Sequence, residues 1–171
     1  MITFNSVTYI PEMIWSNPDV VISTDACLTG IGGWFNNHYF SCGLPDSIRN
    51  HGYHINILEL FTILVALRLW AKQCTGLRFQ MFCDNIVSVM VINSGKSKDK
   101  VMLNILREIV FTCAKENVHI RAVHFHGVSN RTADYLSRAP NNPKIDIREV
   151  IGSDWVPAVV RDDMFVIRDV W

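Results

Sequence analysis

The chain has 171 residues, 49% of them hydrophobic and 19% charged, which excludes wholesale disorder and bounds the protein to a single packed domain. Its 16 basic and 16 acidic residues cancel, which excludes a nucleic-acid binder that grips by overall basic charge and leaves only local patches for such contacts. Five cysteines without paired close spacing suit free thiols, no run approaches the roughly 18 apolar residues of a membrane span, and the N-terminal sequence lacks the pattern of a secretory signal, so a soluble intracellular protein, cytoplasmic or nuclear, is expected.

An irregular arm over residues 1–17 ends in the turn signal Asn17, Pro18, Asp19. The β-branched run "VVISTDA" then predicts a strand with Asp25 near its end. "CLTGIGGWFNNHYFSCG" reads as two further strands joined by a turn at Asn36 and Asn37. Its glycines, Gly30, Gly32 and Gly33, lack the lysine of a phosphate loop and the spacing of a dinucleotide fingerprint, so they punctuate a strand. "INILELFTILVALRLWAKQ" is apolar on most sides and predicts a largely buried helix over about 56–73.

The strand "LRFQMFC" runs up to Asp84, and a short helix begins near Asn85 and stops at Ser94 and Gly95. After the basic loop "KSKDK", Met102, Ile105, Leu106, Ile109, Val110 and Cys113 recur at helical spacing, with Asp99 as N-cap and Asn117 as stop. "VHIRAVHF" is a fifth strand, and "NRTADYLSR" a last short helix before Pro140. The domain thus covers 18–139, and 140–171 is an extension that packs on it, through Trp155 and Phe165, or leads to a downstream protein. The order predicts an α/β fold whose five-stranded mixed sheet has three antiparallel strands, then two strands after helices, with helices flanking it. If the strands of Asp25 and Asp84 are neighbours, both carboxylates open on one sheet edge, where α/β sheets commonly bind ligands.

Four acids stand at transitions between elements: Asp25, Glu59, Asp84 and Asp134. Each has a plain structural reading. Glu59 could complete a capping box with Asn56, Asp84 could cap the next helix, Asp134 could be a solvated helix acid, and Asp25 a turn residue. All four together suit a different task, because carboxylates are the ligands Mg²⁺ prefers, and two such ions about 3.5–4 Å apart can activate a water and stabilise a leaving oxygen. Such a cluster repels itself and needs a cation.

The pieces "STDACLTGIGGW", "NILELFTILVAL", "FCDN" and "HFHGVSNRTADYLSR", in this order, resemble the ribonuclease H domain (type 1, retroviral-like) of retrotransposon polyproteins, of the DIRS or gypsy type. The resemblance covers about residues 20–138. It implies a ribonuclease H-like fold and an endonuclease that cuts the RNA strand of RNA/DNA hybrids during reverse transcription. By the same resemblance Asp25 bridges two Mg²⁺ ions, with Mn²⁺ as a substitute, Glu59 and Asp84 hold one of them, and Asp134 completes the other. It places His124, ten residues before Asp134, on a mobile loop, where an imidazole assists proton transfer or product departure.

A hybrid is read by shape and 2′-hydroxyls, so Gly30, Asn56, Asn85 and Asn130 are candidate substrate contacts, and Arg131 joins them, with Lys96, Lys98, Lys100 and Arg138, as a candidate for phosphate. For the asparagines, local capping is the competing reading, and for "KSKDK" a solvated loop. Zero net charge points to weak binding in isolation and to a reverse transcriptase domain of the same polyprotein as partner. The residues leave two rival readings. A catalytically silent scaffold of the same fold, binding nucleic acid or that domain, would show itself by a missing acid. A zinc module would need a second close pair beside His51 and His54.

Overall fold

The computed structural model describes residues 17–127 and 129–168, so the expected arm over 1–17 lies outside it apart from Asn17. Strands β1 (Val20–Ala26), β2 (Gly30–Phe35) and β3 (His38–Gly43) form the antiparallel meander. Its two-residue turn works because Asn36 and Asn37 both take positive φ, 47° and 58°, the backbone hand that matches strand twist in so tight a hairpin. A short helix α1 (Asp46–Arg49) leads to α2 (Ile55–Trp70). Helix α2 ends sooner than its sequence predicts, because the chain tightens into a 3₁₀ turn over Ala71–Cys74.

Strand β4 (Arg78–Cys83) then lies parallel to β1, with Ile22 opposite Met81. Helix α3 (Ile86–Ser94) closes on Gly95 at φ 65°, and α4 (Lys100–Glu116) opens on Asp99, whose Oδ1 accepts the Met102 amide at 2.9 Å. Asn117 ends α4 in the left-handed region, and β5 (His119–His124) runs parallel to β4. Helix α5 (Arg131–Arg138) follows, then α6 (Ile147–Ile151) and β6 (Val156–Pro157).

The sheet has six strands in the order β5-β4-β1-β2-β3-β6, one more than expected. The extra strand is two residues of the extension, paired parallel with His38 and Tyr39 of β3. So short a strand has no periodicity to read; only the neighbouring β3 edge makes it one.

Helix α2 is the hub of the core. Leu60, Ile63, Leu64, Val65, Ala66 and Leu67 have no exposed surface, because the helix lies between the sheet and α4. Helix α4 covers it with Met102, Ile105, Leu106 and Ile109, while Val110 sits at the margin of that face, 39% exposed. The C-terminal segment closes the remaining side: Phe165 is buried against Phe61, and Trp155 meets Trp34 with ring centroids 5.5 Å apart.

A buried ion cluster fastens that segment. Glu108 of α4 accepts from Arg68 Nη2 at 2.8 Å and from Arg168 Nε at 2.8 Å. Arg68 also donates to the carbonyls of Met164 and Val166, and the Arg168 guanidinium stacks 3.5 Å over the Phe111 ring. All five cysteines are free thiols, and among the described residues no helix is long and apolar enough to cross a membrane.

Candidate active site

Because β1 and β4 are parallel neighbours, their C-terminal ends deliver Asp25 and Asp84 to the same edge of the sheet. Glu59 reaches that edge from the second turn of α2. It is 2% exposed, and its Oε1 accepts the Ala26 amide at 3.2 Å while its Oε2 accepts from the Cys83 thiol at 3.6 Å. The capping-box reading of Glu59 is therefore corrected: His54 caps α2, its Nδ1 accepting the Asn56 amide. Asp84 is not a cap either, since Asn85 Oδ1 takes the Ser88 amide at 2.9 Å. That leaves the Asp84 carboxylate with no hydrogen-bond or ion-pair partner among the described residues. Donor atoms of Glu59, Cys83 and Asp84 all lie within 4.8 Å of one another, a grouping able to hold a metal ion.

Asp134 comes from the other side, on α5, and the glycines of β2 allow its approach. Gly32 is the register partner of Asp25, and a Cβ there would overlap the backbone of Leu136 and Ser137. Gly30 lies likewise beneath the Ser137 carbonyl. With those side chains absent, α5 settles on the sheet, held by Ser41 Oγ donating to the Leu136 carbonyl at 2.6 Å and by the Cys27 thiol donating to that of Ser137. The Asn130 amide donates to the Thr24 carbonyl at 2.9 Å. Two polar side chains of α5 then reach the acids: Ser137 Oγ donates to Asp25 Oδ2 at 2.5 Å, and Arg138 Nε to Asp134 Oδ1 at 2.6 Å. Ser137 was not singled out by the sequence; its only signal is its place three residues after Asp134.

The electrostatics are those of a crowded anion site. Burial pushes the Asp25 carboxyl up to about 7; the Ser137 hydrogen bond works against this, and the charges of Asp84 and Asp134 add to it. Burial also raises Glu59 well above the usual carboxylate range, with Asp25 and Asp84 contributing, and the bonds from Ala26 and Cys83 only partly oppose it. Asp25 thus feels Asp84 and Asp134, and Glu59 feels Asp25 and Asp84, while Asp25 and Asp134 lie outside the close donor grouping of Glu59, Cys83 and Asp84.

His124 differs from its expected placement. It is the last residue of β5, in register with Cys83, and its Nε2 lies 3.0 Å from the Asp84 carbonyl oxygen. It is thus held by a strand rather than carried on a mobile loop, because the β4–β5 ladder continues to Phe125, whose amide donates to the Cys83 carbonyl. His126 stands in the loop beyond, exposed, with its ring edge-on to His124 at 5.0 Å.

The expected substrate contacts fall into three groups. Gly30 and Asn130 are buried in the docking of α5. Asn56 and Asn85 are half-buried and bonded to each other, Nδ2 to Oδ1 at 2.8 Å, beside the acids. Arg131 is exposed on the first turn of α5.

No known protein-family model and no curated protein matches the sequence. Solved structures do match the fold. A ribonuclease H1 isolated from compost by a metagenomic approach superimposes with a TM-score of 0.59 at 17% identity, over 76% of this chain and 100% of that one. The prototype foamy virus protease-reverse transcriptase matches with a TM-score of 0.50 at 13% identity, over 79% of this chain. The foamy viral protease-reverse transcriptase in complex with an RNA/DNA hybrid matches with a TM-score of 0.50 at 14% identity, over 81%. The match spans only 22% and 23% of those two viral polypeptides. The architecture of this chain is a ribonuclease H-like fold, with its four acids gathered at one end of the central strands.

Proposed function

We propose that this chain is an endoribonuclease that cuts the RNA strand of RNA/DNA hybrids with two Mg²⁺ ions, as a domain working beside a reverse transcriptase domain of a retroelement polyprotein. The observation that carries this reading is the convergence of four carboxylates that raise one another's cost, two of them almost fully buried, with Arg138 paired to Asp134 alone among the described residues. The donor set fits the ion: Asp25, Glu59, Asp84 and Asp134 offer hard oxygens, and the Asp84 carboxylate has no partner to give up among the described residues. Ions held there would lower the pKa of a bound water and stabilise the departing oxygen of a phosphodiester.

The remaining work falls to the chain's own residues. A carbonyl only accepts, so His124 Nε2 must carry the proton it shares with Asp84, and Nδ1 is left free to take one. The Asn56–Asn85 pair stands where a 2′-hydroxyl of the hybrid can be read, and Arg131 is free to meet phosphate. The hybrid bound by one viral neighbour supports this substrate class.

The test is cleavage of a labelled hybrid with Mg²⁺ or Mn²⁺. Asp25→Asn and Asp84→Asn each lower the rate by at least about 100-fold, and His124→Ala slows it by roughly tenfold to a hundredfold. Equal cutting by wild type and Asp25→Asn would sink the proposal.

A further inference from the structure

We infer that Ser137 is a positioning residue of the ion site, fixing the Asp25 carboxylate so that one oxygen is tied to the protein and the other is presented to the metal. The inference rests on the metal-dependent reading above. Ser137 has no exposed surface, and its Oγ lies 2.5 Å from Asp25 Oδ2, while Asp25 Oδ1 has no hydrogen-bond partner among the described residues. A carboxylate held by one oxygen can neither rotate about its last bond nor exchange its two oxygens, so the rotational freedom that an ion would otherwise have to remove is already lost.

The hydroxyl is itself held. Its oxygen also lies 2.9 Å from the Asp134 carbonyl, and a serine has one proton to give. The Asp25 bond therefore ties β1 to the same turn of α5 that carries Asp134. The serine is placed here by the close approach over Gly32, the residue opposite Asp25 in the sheet. The helix backbone at this point is held from outside by Ser41 and Cys27, so its docking does not depend on the Ser137 hydroxyl.

The probe is Mn²⁺ alone, titrated into the full chain without substrate and followed by the paramagnetic resonance of the free ion. Ser137→Ala weakens Mn²⁺ binding by about tenfold, the size expected when a hydrogen bond to a charged oxygen is lost. Ser41→Ala, which removes a bond to the same helix without touching an acid, changes it by less than about twofold. Unchanged Mn²⁺ affinity in Ser137→Ala overturns the inference, as does an equal loss in Ser41→Ala, which would mean that only helix docking matters. If Ser137→Ala fails to melt cooperatively, Ser137→Thr and Ser137→Val replace it, since they match in volume and differ only in the hydroxyl; only the threonine chain should bind Mn²⁺ tightly. Asp25→Asn separates the two proposals: if it too leaves Mn²⁺ binding intact, the ion-site reading itself falls.

Discussion

Two buried glutamates, one on each long helix, receive opposite treatment. Glu108 on α4 is 1% exposed and is met by two guanidinium groups at 2.8 Å each, so its charge is cancelled inside the protein. Glu59 on α2 is 2% exposed and is met by an amide, a thiol and the fields of Asp25 and Asp84, so its charge is opposed. The first arrangement makes sense as fastening, since it joins α2, α4 and the C-terminal segment through one carboxylate. The second makes no sense as fastening. Among the described residues, a fold able to supply two arginines to one glutamate supplies none to the other, and on the proposed function that shortfall is where an external cation would be held.

Removing each charge should separate the two. Glu108→Ala leaves Arg68 and Arg168 without their common anion and costs about 4 kcal/mol of stability in urea unfolding, whereas Glu59→Gln leaves the metal-free protein as stable or more so. Equal losses would erase the distinction. The next effect is in pH. Asp25 titrates at about 7 in the folded chain against 3.8 in the unfolded one, so the folded state holds this proton more tightly. Its contribution is complete below about pH 4 and is lost as the pH rises through about 7, by on the order of 4 kcal/mol in all, of which about 3 kcal/mol falls between pH 5 and pH 8, in chelator. Unfolding at pH 5 and pH 8 should show this fall in the wild type and a smaller one in Asp25→Asn, where the raised Glu59 carboxyl still contributes. The smallest effect is that of Arg138→Ala. Its pair with Asp134 is partly solvated, 58% and 36% exposed, so the unfolding free energy should move by less than about 0.5 kcal/mol. A change as large as that of Glu108→Ala would show that the acid site has a fastening of its own after all.

Much of this frame was legible where one residue suffices to set the local backbone. The Asn36–Asn37 turn, the Asp99 cap and the Asn117 stop are decisions made within a few residues, and the meander and α4 follow from them. The shared edge of Asp25 and Asp84 could be anticipated because both stand at strand ends, and Glu59 and Asp134 lie within the first two turns of their helices. What stayed hidden depends on partners distant in sequence. Strand β6 exists only because Val156 and Pro157 meet the edge of β3. His124 extends β5 because Cys83 continues the ladder beside it. The cap of α2 is His54, an uncommon choice that no propensity favours, so Asn56 drew the attention instead. Glu108 could not be told from a solvated helix acid, since Arg68 and Arg168 lie 40 and 60 residues away.

The bare backbone at Gly32 has a wider consequence. It serves as a spacer of zero thickness between the strand that carries Asp25 and the helix that carries Asp134. Any side chain there would push the helix outward and widen the gap between two acids without altering either. Inherited changes in this chain should therefore be as tightly limited at Gly32, which has no proposed chemical role, as at the acids proposed to hold the ions. An observer scoring lost function alone would find glycine and aspartate equally intolerant, for reasons of distance in one and of charge in the other.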